Sequence, residues 1–251
     1  RDALDVRGMG EHVHHARRGK AEALHVDEQA RVAGERRRVA GHVDDALRPG
    51  AAQVIQILSE RGVRVSVGHT AADYATARTA YGEGASLATH LFNQMTPLGH
   101  REPGVVGAAL LAADHCLVIV DGLHISEPSL EIAWRILGDR RTILVTDAMA
   151  ALGLGHGVYP LGDGPITVGS DGPRTSDGRL AGSVVTLPEA IANLARTTSA
   201  TLEEAVRCAT VNPANALGLD DRGDLRRTGI RMQVHFSSLP VQMLGPVANA
   251  D

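Results

Sequence analysis

Three short apolar runs, each leading into a polar residue, constrain the fold of this chain most. They are residues 65–70, 88–93 and 142–147. Runs of β-branched and aliphatic residues of this length predict buried strands, and these reach His69, His90 and Asp147 near their carboxyl ends. Because the carboxyl ends of parallel strands meet at one edge of an α/β fold, we expect the three side chains to face one crevice. Two histidines and an aspartate from separate strand ends are the skeleton of a metal-hydrolase site.

Strand-like and helix-like segments alternate through the middle of the chain. The predicted strands are residues 63–67, 87–90, 117–120 and 143–145, and the predicted helices are residues 54–58, 71–81, 105–113 and 126–137. This alternation predicts strand–helix units of a (β/α)-barrel, with Ser126 as the N-cap of the last helix. A full barrel needs about 250 residues on its own, so we expect only the C-terminal half of one here.

The segment after these units has a different pattern. Residues 153–185 are rich in Gly, Asp and Pro, which predicts a long functional loop with a hairpin. Residues 188–196 predict a helix. Residues 201–204 form a capping box that predicts the start of another helix, ending near Asn212.

The composition excludes few classes of protein. A hydrophobic content of 43% fits a globular protein, and with 2% aromatic residues the core must be aliphatic. The net charge of −4 argues neither for nor against a nucleic-acid partner, and we expect none because no basic stripe lies in the central region. No run of about 18 apolar residues is present, so we expect no membrane span. With only two cysteines, Cys116 and Cys208, the sequence favours a reducing, cytoplasmic compartment. The chain starts at Arg1 without methionine, which suggests that the true N-terminus is missing.

Residues 1–48 differ from the rest of the chain. They contain nine arginines and five of the twelve histidines, without a sustained apolar period. Such a stretch buries too little apolar surface to offset chain entropy, so we interpret it as a poorly ordered or out-of-frame segment that adds no strand to the barrel. His12 and His14, next to His15, have the spacing of metal ligands, but their flanking residues match no metal motif.

Six short motifs follow one another in a fixed order. They are Gly68-His69-Thr70, Thr89-His90-Leu91-Phe92-Asn93-Gln94-Met95, Gly99-His100-Arg101-Glu102-Pro103-Gly104, Asp121-Gly122-Leu123-His124, Thr146-Asp147-Ala148-Met149 and Leu180-Ala181-Gly182-Ser183. Together they resemble the N-acetylglucosamine-6-phosphate deacetylase family of the amidohydrolase superfamily. The resemblance covers residues 50–225 and implies a (β/α)-barrel of the metal-dependent amidohydrolase type. The chain departs from the family at Gln94, where alanine is usual, and residues 226–251 form an atypical tail in place of the accessory β domain.

The resemblance implies hydrolysis of N-acetylglucosamine 6-phosphate to glucosamine 6-phosphate and acetate. It assigns His69 and His90 to a divalent metal, most simply zinc, with iron or another divalent ion as the alternative. It assigns Asp147 to proton transfer from water to the leaving amine, a task suited to a carboxylate beside a metal. The alternative to these roles is a purely structural one. Each histidine would then be a hydrogen-bonded residue at a strand end, and Asp147 would cap a helix.

The same resemblance implies a set of contacts to the phosphorylated amino sugar. They are Asn93, Gln94, Arg101, His124, Leu180 and Ala181. Arg101 matches an arginine that binds the phosphate across a subunit interface, which implies a homodimer. A guanidinium suits a phosphate because it donates two parallel hydrogen bonds, whereas the alternative interpretation of Arg101 is a solvated surface residue.

A glutamate ligand of the family's metal site has no counterpart in this sequence. The family carries it in a His-Leu-Glu-Gly-Pro-like motif on an earlier strand, and residues 1–50 contain no such motif. Since catalytic zinc normally has three protein ligands, two histidines are expected to hold the metal poorly. The alternatives are therefore an inactive remnant of the enzyme, or another amidohydrolase such as a dihydroorotase-like or adenine-deaminase-like enzyme.

Overall fold

A six-stranded sheet forms the centre of the molecule. The computed structural model describes residues 25–26, 40–44, 50–161, 164–219 and 222–223. The strands of this sheet are β1 (His25–Val26), β2 (Ala40–Asp44), β3 (Arg64–Gly68), β4 (Leu87–Ala88), β5 (His115–Ile119) and β6 (Thr142–Val145). They lie side by side in sequence order; β1 is antiparallel to β2, and each later pair of neighbours is parallel.

Helices precede and connect the parallel strands from β3 onward. They are α1 (Ala51–Glu60), α2 (Tyr74–Gly82), α3 (Gly104–Ala112) and α4 (Glu127–Arg141). Parallel neighbours cannot be joined by a tight turn, so each step from β3 to β6 crosses over through one helix. The strand–helix units predicted from the apolar pattern are all present, and part of a (β/α)-barrel is confirmed. α4 is interrupted at Gly138, whose φ of 64° lies outside the helical region, next to the predicted helix end at residue 137.

The segment after β6 contains the hairpin and both helices that the sequence predicts, together with one further strand and one further short helix. Its elements are β7 (Gly157–Leu161), β8 (Gly164–Gly169), β9 (Gly172–Arg174), α5 (Leu187–Thr197), α6 (Leu202–Ala209) and α7 (Val211–Ala216). The three strands form a separate antiparallel sheet. The predicted capping box at α6 is confirmed: the Thr201 hydroxyl accepts from the Glu204 amide at 3.2 Å, and the Glu204 carboxylate accepts from the Thr201 amide at 2.7 Å. In the described part of the chain, no helix is long and apolar enough to cross a membrane.

The expectation that residues 1–48 add no strand to the barrel is wrong for β2. Its five residues pair in parallel with β3, Ala40 opposite Arg64 and Asp44 opposite Gly68. The ladder uses only backbone N–H and C=O groups, and without it the edge of β3 would leave those groups unpaired, so a low apolar content does not prevent pairing. The histidines at positions 12, 14 and 15 and the tail at 226–251 lie outside the described residues.

The core is mostly aliphatic, as the composition predicts, with Tyr81 and Trp134 as its buried aromatic residues. Val65 and Val67 of β3 are fully buried, as is Cys116 of β5, and they pack in one cluster with small residues of α2 and α3. Small side chains let these helices lie close to the strands. At the start of α3 the chain also passes close to the preceding loop, where Gly104 has a positive φ of 61°. A Cβ on Gly104 would lie 2.6 Å from the Thr96 carbonyl oxygen, which excludes any larger residue there.

Two adjacent leucines of α3 offer a test of this packing. Leu110 is 3% exposed and Leu111 is 68% exposed. We expect Leu110→Ala to lower the free energy of unfolding by about 2–5 kcal/mol, because it removes buried methyl groups and leaves a cavity. The matched control Leu111→Ala should change it by less than about 0.5 kcal/mol. Chemical denaturation of both variants measures the difference, and equal losses would show that this face of α3 is assigned wrongly.

Candidate active site

His69 and His90 come together at the carboxyl ends of neighbouring strands. His69 directly follows β3, and His90 lies two residues after the end of β4. Their Nε2 atoms are 3.1 Å apart, and the rings meet edge to face with centroids 4.6 Å apart. The hydroxyls of Ser66 and Thr89, 2.6 Å apart, share a hydrogen bond between the same two strand ends. His90 is 7% exposed and His69 is exposed, so the pair lies where the buried sheet meets solvent.

The separation of the two nitrogens fits two ligands of one metal ion. Two Zn–N bonds of about 2.0–2.1 Å at a tetrahedral angle place their nitrogens about 3.3 Å apart. The observed 3.1 Å is close to that value, and it also suits an N–H···N hydrogen bond between neutral rings. Among the described residues, no group of three or more His, Cys, Asp or Glu side chains is arranged to hold a metal. The two histidines therefore fit as part of a metal site, without a third ligand from the described chain.

Backbone strain is concentrated at this edge of the sheet. The described non-glycine residues with positive φ are His69 (39°), His90 (25°), Phe92 (77°), Gln94 (52°) and Asp147 (49°). L-residues in the left-handed region cost about 1–2 kcal/mol each, and such residues cluster at functional sites. Three of them are the residues that the sequence predicts as metal ligands and catalytic base. Strain is thus an observation separate from the motifs, and it selects the same positions.

The turn after β4 is closed by hydrogen bonds that use the Asn93 side chain. Its Nδ2 donates to the carbonyl oxygens of His90 and Leu91, each at 3.2 Å. The Gln94 carbonyl accepts from the Thr70 amide at 3.0 Å, which ties the turn to the residue after His69. The Asn93 amide nitrogen is therefore occupied within the turn, so its Oδ1 is the atom left for a substrate contact. Gln94 is exposed on the same turn.

Asp147 lies at the end of β6, on the same edge of the sheet but two strands away from β4. Its carbonyl oxygen accepts from the Ser183 amide at 2.8 Å, and the Ser183 hydroxyl donates to the Thr146 carbonyl. A Cβ on Gly182, where φ is 69°, would lie 3.0 Å from the Asp147 carbonyl oxygen. Gly182 and Ser183 of the Leu180–Ser183 motif thus lie beside Asp147, whereas Leu180 and Ala181 pair with Arg174 and Pro173 of β9. That Asp147 faces the two histidines stays a prediction.

Arg101 lies on an exposed loop whose shape depends on Glu102. The Glu102 carboxylate accepts from the amide of Tyr74 at 2.8 Å and from that of Gly104 at 3.0 Å, the first residues of α2 and α3. Its carbonyl accepts from the Gly99 amide at 3.0 Å, closing the loop around Arg101. A carboxylate between two helix N-termini is also favoured by their positive dipole ends. The sequence motif did not reveal this role of Glu102, although its place just before Pro-Gly at a helix start was a usable signal.

His124 is held by Asp121, a residue of the same motif to which the sequence assigned no role. Its Nδ1 lies 2.7 Å from the Asp121 Oδ2, and both side chains are 6% exposed. Burial alone would raise the pKa of Asp121, but hydrogen bonds from the His124 side chain and from the amides of His124 and Leu123 outweigh it. The pKa of Asp121 is therefore held below its ordinary value, and the group is a carboxylate at neutral pH.

A pair of glutamines tests the strain in the turn after β4. Gln94 has a φ of 52°, whereas Gln53 is an exposed residue inside α1. We expect Gln53→Gly to lower the free energy of unfolding by about 1 kcal/mol, the usual cost of glycine in a helix. Gln94→Gly should leave it unchanged or raise it by up to about 1 kcal/mol, because glycine adopts positive φ without strain. Denaturant titration of both variants decides, and an equal loss in the two would argue against strain at Gln94.

Comparison with known proteins shows which family the chain belongs to. The model of the amidohydrolase family matches residues 48–226. The N-acetylglucosamine-6-phosphate deacetylase of Lysinibacillus sphaericus is 43% identical over 178 residues, which are 70% of this chain and 46% of that protein. The N-acetylgalactosamine-6-phosphate deacetylase of Escherichia coli O157:H7 is 38% identical over 172 residues, 68% of this chain and 45% of that protein.

Solved structures show the same likeness. A D267A mutant of N-acetyl-D-glucosamine-6-phosphate deacetylase from Mycobacterium smegmatis, in complex with N-acetyl-D-glucosamine 6-phosphate, superposes with a TM-score of 0.69 at 36% identity. That match covers 73% of this chain and 50% of the other. The chain spans about half the length of the curated relatives it matches. The family match extends over most of this chain, from before α1 to beyond α7. The chain belongs to the amidohydrolase family.

Proposed function

We propose that this chain carries the C-terminal half of the active site of a metal-dependent deacetylase. The reaction is hydrolysis of the acetyl group of N-acetylglucosamine 6-phosphate, which gives glucosamine 6-phosphate and acetate. The observation that carries the proposal is the 3.1 Å separation of the His69 and His90 Nε2 atoms at two neighbouring strand ends. The similarity to deacetylases over about 70% of the chain supports this substrate class.

The two histidines are proposed to hold a divalent cation. The amidohydrolase family is generally metal-dependent. Zinc suits two imidazole ligands, with iron or another divalent ion as the alternative. A bound cation would acidify water and polarise the amide carbonyl, the two difficulties of amide hydrolysis at neutral pH. A third protein ligand is needed for tight binding, and the described residues offer no third His, Cys, Asp or Glu to complete the group.

Asp147 is proposed as the general base and then the general acid. Its carboxylate accepts a proton from the attacking water as the new C–O bond forms at the acetyl carbon. It then delivers that proton to the sugar nitrogen as the C–N bond breaks, so that acetate and a free amine leave. The hydrogen bond from the Ser183 amide to the Asp147 carbonyl holds this residue in its strained conformation at the end of β6.

The remaining contacts are proposed to bind the sugar phosphate. Arg101 is exposed, which suits a guanidinium that reaches a phosphate in the partner subunit of a homodimer. His124 and the Oδ1 of Asn93 are proposed to bind the sugar, with Gln94 beside them. Leu180 and Ala181 are proposed to border the substrate next to Asp147. The alternative function, an inactive remnant of the same enzyme, is separated from the proposal by the two experiments that follow.

Metal binding tests the assignment of the two histidines. With two ligands we expect the chain to bind zinc weakly, below one equivalent after purification. Changes in the outer shell of a metal site already cost about 10–100-fold in affinity, so His69→Ala or His90→Ala should cost at least that much. His156→Ala, an exposed histidine before β7, is the matched control and should change nothing at this site.

Zinc titration by calorimetry measures all three variants. Unchanged binding in His69→Ala and His90→Ala would contradict the metal assignment. Tight stoichiometric binding by the unaltered chain would show that a third ligand is present after all.

Acetate release tests the catalytic assignment. We expect this chain to show little or no deacetylation of N-acetylglucosamine 6-phosphate, because a base without an acidified water cannot readily attack an amide. An extended chain that joins residues 50–225 to the glutamate-bearing first half of a relative should be active. In it, Asp147→Asn should abolish turnover while the metal stays bound. Comparable release from the short and extended chains would show that the glutamate is unnecessary, and an unchanged rate in Asp147→Asn would refute the role of Asp147.

A further inference from the structure

Asp121 and His124 form a pair with buried side chains just after β5. The proposed function gives His124 a role in sugar binding and gives Asp121 none. The two Asp121 carboxylate oxygens have separate partners. Oδ1 accepts from the backbone amides of Leu123 and His124, each at 2.9 Å, whereas Oδ2 lies 2.7 Å from the His124 Nδ1. Gly122, with a φ of 78°, lets the chain turn so that both sets of contacts form at once.

The division between the two oxygens fixes the orientation of the imidazole. If Asp121 only shaped the turn, the contacts to Oδ1 would be enough. The second oxygen and the short Nδ1 contact hold the ring itself, and at 6% side-chain exposure for both residues little water competes for this contact. A buried ring held at one nitrogen presents the other in a fixed direction.

The chemistry of the contact also fixes the position of the proton. An ionised carboxylate has no hydrogen to donate, so the His124 Nδ1 must be the donor. A neutral imidazole carries one N–H, so its Nε2 is then an acceptor. The hydrogen bonds that hold the pKa of Asp121 below its ordinary value keep the carboxylate ionised through the neutral range.

We propose that Asp121 is a positioning residue, which fixes His124 as the Nδ1–H tautomer so that its Nε2 accepts a hydrogen bond from a hydroxyl or acetamido N–H of the substrate. This inference rests on the proposed function, because it takes His124 as a substrate contact. It adds that the contact requires a donor on the ligand and that the tautomer is controlled by Asp121. In a His–Asp pair of a serine protease, the Asp-to-Asn change gives the wrong tautomer, which is the physical precedent.

The test compares Asp121→Asn with the unaltered chain by nitrogen NMR of labelled histidine. His124→Gln identifies the His124 signals by their loss. In the unaltered chain we expect a protonated Nδ1 and an unprotonated Nε2 at a pH where the ring is neutral. In Asp121→Asn the side-chain amide can donate to Nδ1, so the ring should change to the Nε2–H tautomer. Asp121→Glu keeps an acceptor-only carboxylate and should retain the original tautomer, which separates loss of charge from loss of fold.

Binding of N-acetylglucosamine 6-phosphate by calorimetry is the second measurement. Asp121→Asn should weaken it about tenfold, the effect of one lost hydrogen bond. Asp73→Asn is the matched control, since Asp73 also accepts from a backbone amide, that of Thr76 at the start of α2. This control should alter neither the His124 tautomer nor the affinity.

Each outcome decides the inference. An Nε2–H ring in the unaltered chain, or the same tautomer in Asp121→Asn, would overturn it. A changed tautomer with unchanged affinity would also overturn it, because Nε2 would then not face the ligand. If the unaltered chain binds no sugar phosphate, the proposed function fails and the role in substrate binding fails with it, whereas the tautomer measurement still decides whether Asp121 controls the ring.

Discussion

The parallel pairing of β3 with β4 is the constraint on which the candidate site depends. Ser66 lies opposite Leu87 and Val67 opposite Ala88, and this register brings the residues just beyond the strands together. A slip of one residue would move one strand by about 3.3 Å and turn its side chains to the opposite face. Either displacement would separate His69 from His90. The 3.1 Å contact between their Nε2 atoms is therefore a consequence of the backbone ladder as much as of the histidines themselves.

The core supplies the stability that a strained edge requires. His69, His90 and Asp147 have positive φ, and such strain persists only where the surrounding structure over-determines it. Behind these residues the fully buried Val65 and Val67 fix the end of β3. The Ser183 amide and hydroxyl fix the end of β6 by donating to the carbonyl oxygens of Asp147 and Thr146. Conformations that a free chain would avoid are thus held at the positions proposed for chemistry.

Two carboxylates on the loops after β4 and β5 each satisfy two backbone amides. From the loop that carries Arg101, the Glu102 carboxylate accepts from the first amides of α2 and α3. The Asp121 carboxylate accepts from two amides in the turn that carries His124. In each case the turn presents a basic side chain, Arg101 for Glu102 and His124 for Asp121. Hydrogen bonds from backbone amides to a carboxylate are charge-assisted, so these contacts stabilise both loops, and in the second loop Asp121 also holds the His124 ring. The contacts that stabilise these two loops therefore also support the residues proposed to bind the sugar phosphate, Arg101 and His124.

The sequence determined the local elements, and the tertiary structure decided how they meet. The strands from β3 to β6, the helices between them and the capping box at Thr201 follow from apolar periodicity and local hydrogen-bond chemistry, which depend on neighbouring residues. His69, His90 and Asp147 could be placed at strand ends for the same reason, since each follows a short apolar run in the sequence. The strand ends predicted that His69 and His90 face one crevice, but the 3.1 Å contact of their Nε2 atoms depends on the register of β3 with β4. The pairing of β2 with β3 and the contact of Glu102 with Tyr74 also join residues distant in sequence, and the contact of Asp121 with His124 depends on the turn at Gly122. Register and packing fix those contacts, and one sequence read along its length does not contain them.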